Sequence, residues 1–194
     1  MSLAATTVDA AQLPRLAFDE LSAPLQAALG ARVERLGYLG EFFAVAGHEP
    51  AALAAFVDFT ESLAAALPPR WHHLIALSVA TALGNDYERC QHEQRSVVLG
   101  LSPEWVCAAE GHDGPASSLL DPDERILQQL AGAIVARDHV TARARLGQLL
   151  EAHEPRRAMA SVLMIARYIA HASVTLTVGI AAPVASIFDG DGHG

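Results

Sequence analysis

Apolar positions along this chain recur at helical spacing and almost never alternate. Leu53, Phe56, Val57 and Leu63 fall on one helical face, behind a start at Glu49-Pro50 and ahead of a stop at Pro68-Pro69. The same reading applied along the chain predicts a helix opened by Ser22 with Pro24 close behind and running to about Leu36. It also predicts a short helical piece from Glu41 to Ala46, a helix from Arg70 to Leu83, and one from Asp86 to about Leu99 with Gly100 beyond its end. Ser102-Pro103-Glu104 caps a short helix to about Glu110, and Asp121-Pro122-Asp123-Glu124 caps another to Arg137. Thr141 opens one to about Ala152, and Pro155 opens the last and longest, to about Val178. GHDGPASS is the one clear loop, and no strand pattern survives. The expected architecture is all-α, with an extended arm over 1–20, one domain over 21–182 and a loose tail over 183–194.

Composition narrows what this helical domain can do. The chain has 194 residues, of which 52% are hydrophobic and 18% charged. One sizeable core fits that length, and the apolar surplus implies surface buried against copies of the same chain. Apolar stretches are interrupted by Arg, His or Ser before reaching spanning length, so no membrane partner is expected. The formal charge of −9, with no basic patch, argues against nucleic acid. All thirteen basic residues are Arg. Without Lys there is no Schiff base, no pyridoxal phosphate attachment and no P-loop lysine. Cys90 and Cys107 form neither a CxxC nor a zinc pattern. With no basic-then-apolar leader at the N-terminus, a reducing, cytoplasmic location is expected.

The chemistry concentrates in Tyr87-Glu88-x-x-x-His92. Residues four apart on a helix share a face, which brings the Glu88 carboxylate to the His92 imidazole. A carboxylate that orients and charges an imidazole is a common way to build a proton-transfer group near neutral pH. For an isolated helical pair of this kind the plainer reading is a core histidine satisfied by its neighbour.

The residues around this pair resemble the carboxymuconolactone decarboxylase/AhpD-like family. ERLGYLGEFFAVAGHEPAALAAF (34–56) is similar to its first helical hairpin, and LPPRWHHLIALSVATALGNDYERCQHEQRSVVLGLS (67–102) to its signature region. LDPDERILQQLAGAIVARDHVT and MIARYIAHASVTLTVGI resemble its last helices. The resemblance implies a bundle of roughly eight helices assembled into trimers or hexamers. The family's peroxidase branch carries a CxxC followed by His, with an upstream Glu. Matching that His to His92 puts Asn85 and Glu88 at the cysteine positions and His73 at the Glu. A dithiol cycle needs two close thiolates, so the resemblance is to the branch that lacks the CxxC. That branch has a Glu-x-x-x-His run here, which implies Glu88 and His92 as catalytic residues. His73 and Tyr87, which precedes Glu88 as a Tyr does in many members, are their expected neighbours.

Other polar residues take plainer readings. His72 is expected on the surface, and Trp71, Trp105, Phe42 and Phe43 in packing. Tyr168 and His171, three apart on the last helix, are a weak pointer to the same cavity. His73, Glu88 and His92 have the donor types of a zinc or iron site, but their spacing matches no metal signature. Neither metal nor organic cofactor is expected. The function expected is cofactor-free acid/base chemistry, decarboxylation or proton transfer, on a small carbonyl or lactone acid. Decarboxylation also needs a cation for the substrate's carboxylate, and Arg70, Arg89 and Arg95 are the arginines near the motif. The alternatives are a peroxidase-related protein using Cys90, and a non-catalytic oligomer that binds a small ligand.

Overall fold

A computed structural model describes residues 13–112 and 119–189. Among these, nine α-helices and one short 3-10 turn (18–20) are present, with no strand. The helices are α1 (Ala23–Leu36), α2 (Glu41–Ala46), α3 (Pro50–Ala66), α4 (Pro69–Leu83), α5 (Asp86–Val98), α6 (Pro103–Ala109), α7 (Pro122–Val135), α8 (His139–Ala152) and α9 (Pro155–Val178). The all-α class stands, with nine helices where roughly eight were expected.

α4 is the hub. Every residue from Leu74 to Ala80 is buried, and the helix packs against α5, α6, α7 and α9. A helix apolar on all sides has to be surrounded, because each buried Leu or Ile contributes about 1.5–3 kcal/mol only where neighbours exclude water. The main core joins α4 to Val106, Leu127, Leu130, Leu149, Met164 and Ile165. A second cluster gathers Leu25 and Leu29 of α1, Phe42 and Val45 of α2, and Leu53 and Val57 of α3, with Tyr87 at its edge. The candidate site lies where α1, α3, α4, α5 and α9 meet.

Local signals explain the boundaries, including those that differ from expectation. α7 opens with the capping box of Asp121 and Glu124, whose side chains each accept the other's backbone N–H. α8 starts at His139 rather than Thr141, because Asp138 accepts from the N–H groups of Val140 and Thr141 and so acts as the cap itself. Gly37, Gly84 and Gly179 close α1, α4 and α9 in the left-handed conformation that only glycine adopts freely.

Both chain ends are better anchored than expected where they are described. Leu16 N–H donates to the Ala44 carbonyl, Arg15 pairs with Glu41, and Leu16 and Phe18 pack on the second core cluster. The tail is not loose over 183–189: Ser186 Oγ and Ile187 N–H both donate to the buried carboxylate of Glu93. Residues 1–12, 190–194 and most of the GHDGPASS loop lie outside the described residues. α9 also departs from the membrane expectation, since by length and composition alone it is apolar enough to cross one. Half of that window is buried within the bundle, and the buried residues of the helix include Arg167, Tyr168 and His171. These are the marks of a core helix.

Candidate active site

α5 is the most polar of the long helices, yet it buries Tyr87, Glu88, His92 and Glu93. Burying ionisable groups on a core helix is costly unless partners meet them, and α4 and α9 supply those partners. His92 Nε2 lies 3.1 Å from Glu88 Oε2, and His171 Nε2 of α9 lies 3.2 Å from Glu88 Oε1. Tyr168 Oη, one turn before His171, lies 3.0 Å from His92 Nε2 and 2.7 Å from His72 Nε2. On the other side of the His92 ring, His92 Nδ1 and His73 Nδ1 are 3.2 Å apart.

One proton assignment satisfies these contacts together. Glu88 is an acceptor only, so His92 and His171 each donate to it from Nε2. A neutral His92 then accepts at Nδ1 from His73 Nδ1–H, while Tyr168 receives the spare reach of His92 Nε2–H and donates to His72 Nε2. Electrostatics agree. Burial would raise the Glu88 carboxyl, but His171 and His92 outweigh it and hold it well below the usual carboxylate range. Burial lowers all four imidazoles: His72 to about 2, His73 to about 3 and His171 to about 4, with His92 lowered despite its bond to Glu88. The result is one ionised carboxylate among neutral imidazoles.

Glu88, His92, His171, Tyr168 and His72 line a cavity of about 70 Å³, together with Tyr87, Gln91, Phe43, Thr60 and three arginines, Arg32, Arg95 and Arg167. That is room for a few water-sized groups. The expected site residues divide. Glu88 and His92 meet on the cavity wall. Tyr87 also lines it, but its hydroxyl accepts the Phe42 N–H at 3.3 Å and so closes the start of α2, while burial pushes its pKa up to about 12. His73 is not on the wall; it stands behind His92, half-buried. His72, expected on the surface, is half-buried and bonded to Tyr168, because α9 crosses the face of α4 that carries it. Asn85, at the first cysteine position of the peroxidase pattern, is buried and accepts from Thr175 Oγ1 at 3.2 Å.

Sequence reasoning pointed weakly to His171 and missed two of the cavity's arginines. His171 contacts Glu88 directly, where only the three-residue spacing to Tyr168 hinted at it. Arg32 and Arg167 come from α1 and α9, far from the motif in sequence. Of the arginines close to the motif, Arg70 is tied to Glu124 and Arg89 to Asp86 and Glu93, which leaves only Arg95 on the cavity. Among the described residues, no group of three His, Cys, Asp or Glu side chains is placed to hold a metal ion. A second, apolar groove of about 420 Å³ runs between α2, α3 and α9, lined by Phe42, Val45, Leu53, Phe56 and Val174. His171 borders both spaces, and its ring lies tilted against that of Phe42, with centroids 4.0 Å apart.

Comparison with known proteins agrees with this picture of the fold. The model of the carboxymuconolactone decarboxylase family matches residues 50–119, the stretch from α3 through α6 that carries the Glu88–His92 pair. The family resemblance read from the sequence is thereby borne out. Two crystal structures of the debrominase Bmp8 share the fold at 17% sequence identity. The apo form superposes with a TM-score of 0.74 over 88% of this chain and 91% of that one. A cysteine-to-alanine variant in complex with 2,3,4-tribromopyrrole gives 0.73 over 86% and 89%. A search of curated proteins found no significant match.

Proposed function

We propose that this protein is an acid/base enzyme acting on a small carbonyl or lactone acid, by decarboxylation or proton transfer at the carbon beside the carbonyl. The observation that carries the reading is the 3.1 Å Glu88–His92 contact on the wall of a small polar cavity, with His73 behind it. In a decarboxylation the bond to the carboxylate breaks, carbon dioxide leaves, and the electron pair becomes an enolate that needs one proton at carbon. His92 delivers that proton from Nε2 and takes another at Nδ1 from His73. His73 is half-buried and recovers its proton from solvent at Nε2. His92 thus exchanges one neutral tautomer for the other. Once the product leaves, a proton entering at Nε2 from the cavity sends the Nδ1 proton back to His73 and releases one from His73 Nε2, which restores the starting state. Glu88 fixes the ring and stabilises any positive charge that develops on it.

The test is ultraviolet-monitored turnover of 4-carboxymuconolactone and a panel of β-keto acids by the wild type and His92→Asn. Turnover that collapses in the variant supports the reading, and equal turnover by both defeats it. The apolar groove favours a second reading, a small-ligand-binding protein, since its size approaches that of ordinary ligand sites. The debrominase that shares the fold has been captured with a halogenated pyrrole. For assembly, we expect the trimer or hexamer implied by the family resemblance. The exposed apolar residues Met159, Leu163, Val174 and Leu176 of α9 support that expectation, and light scattering tests it.

A further inference from the structure

Arg32, Arg95 and Arg167 reach the cavity from three different helices, and none of them forms an ion pair with a carboxylate among the described residues. Elsewhere in the molecule Arg15, Arg70 and Arg89 each have such a partner. Arg167 is the most constrained of the cavity trio, at 7% exposure. Its guanidinium carbon lies 4.4 Å from the ring centre of Tyr168 and 4.9 Å from that of Phe56, and its Nε donates to Thr60 Oγ1 at 3.1 Å. Its Nη1 is buried and has no hydrogen-bond partner among the described residues. A buried donor left unmet loses the hydrogen bond that water would have given it, and a bound acceptor restores it. Arg32 lies over Phe43, and its pKa is lowered first by burial and then by the charges of Arg95 and Arg167. The three cations therefore repel one another across the same space.

The carboxylate of Glu88 does not relieve this, because both its oxygens are taken by His92 and His171. With the imidazoles neutral, three guanidiniums against one carboxylate leave the walls with an excess of two positive charges. A planar guanidinium fork matches an oxyanion with two acceptor atoms better than it matches water.

We propose that Arg32, Arg95 and Arg167 form a subsite for a compact oxyanion group, a carboxylate or a phosphate, and seat a small anionic molecule beside the Glu88–His92 pair. The inference rests on this cavity being the site of reaction. It supplies the cation that chemistry next to a carboxyl group requires, and the charge excess makes a dianion the preferred occupant over a monoanion.

Calorimetric titration of the full-length protein at constant ionic strength tests this without any turnover. The probes are malonate, inorganic phosphate and acetate. Saturable one-site binding is expected for malonate or phosphate, with acetate weaker, and the tighter of the two dianions identifies the carboxylate or the phosphate source. Arg32→Gln and Arg95→Gln are each expected to weaken that binding about tenfold, the loss of one charge-assisted contact. Because Arg167 packs against two aromatic rings, its replacement risks the fold; the half-exposed Arg32 and Arg95 carry the test. Absence of saturable binding by both dianions overturns the proposal, as does binding that neither variant weakens. If His92→Asn binds the anion normally while the turnover test fails, the proton-transfer reading falls and the subsite stands.

Discussion

Glu88 and Glu93 are buried carboxylates five residues apart on α5, and their surroundings are opposite in kind. Glu93 is fully enclosed; it accepts from Arg89 on one oxygen and from Ser186 Oγ and Ile187 N–H, at 2.6 and 2.8 Å, on the other. These donors tie the C-terminal segment to the bundle, and the titratable group beside Glu93 is another carboxyl, Glu110, which is not on the Glu88 cavity. Among the described residues Glu88 accepts only from imidazoles, each of which can lose or gain a proton, and it borders a cavity. Residue type and helix are the same. What separates an anchor from a reactive group is whether the carboxylate itself borders a cavity and is held by groups that can pass a proton to what occupies it.

Removing each acid in turn sharpens this contrast, and the largest effect is expected at the cavity. Glu88→Gln and His92→Asn should each lower kcat/KM on a proven substrate by about 10²–10⁴-fold, the usual worth of a positioned acid/base group. Both variants should remain folded by circular dichroism. Glu93→Ala should do the reverse. It leaves a partly exposed arginine that Asp86 still meets, releases the Ser186–Ile187 contact, and should cost about 2–4 kcal/mol of stability in denaturant titration. Proteolysis should then begin in the C-terminal segment, with turnover per folded molecule retained. A Glu93 variant that is stable but inactive would erase the distinction.

The sequence made one side of this comparison legible and hid the other. The spacing of Glu88 and His92 is local, so helical geometry alone puts them in contact, and the helix starts at Pro50, Pro103, Pro122 and Pro155 follow from local capping chemistry. Glu93 carries the same local information as Glu88, and only the tail, some ninety residues on, shows that it is an anchor. Arg32 and Arg167 were hidden for the same reason: α1 and α9 must first pack around α5 before three scattered arginines share a cavity. His72 was misplaced because its exposure depends on where α9 crosses α4.

The two regions should also respond to pH with opposite sign. In the cavity, His72, His73 and His171 are lowered to about 2, 3 and 4, below an unfolded value near 6.5, and Glu88 is lowered as well. Between about pH 6.5 and 4 the unfolded chain therefore binds protons that the folded site refuses, and stability falls on acidification. Beside Glu93, burial and then the Glu93 charge raise Glu110 to about 7. There the folded protein keeps a proton that the unfolded chain has lost above about 4.5, so this carboxyl destabilises the fold as pH rises from 4.5 to 7. Glu110→Gln should leave the acid limb of a Tm-versus-pH curve unchanged and raise Tm relative to wild type at pH 8 more than at pH 5. An equal shift at both values would mean that Glu110 and Glu93 are not coupled through a proton.

The smallest effect is expected at Cys90, on the same helix, and there a near-null result is informative. Its side chain is buried, it is not on the cavity wall, and burial pushes its thiol up, away from the thiolate that redox chemistry needs. Cys90→Ala should lower stability by about 1 kcal/mol or less, the loss of one small buried group, and leave turnover unchanged. In the native wild type the Cys90 thiol should resist an aromatic disulfide reagent until denaturant is added. Rapid labelling together with loss of activity in Cys90→Ala would move the chemistry from the Glu88–His92 pair to the thiol. A buried group of the helix off the cavity wall would then be the reactive one, and proximity to the cavity would no longer separate the reactive residues of α5 from the structural ones.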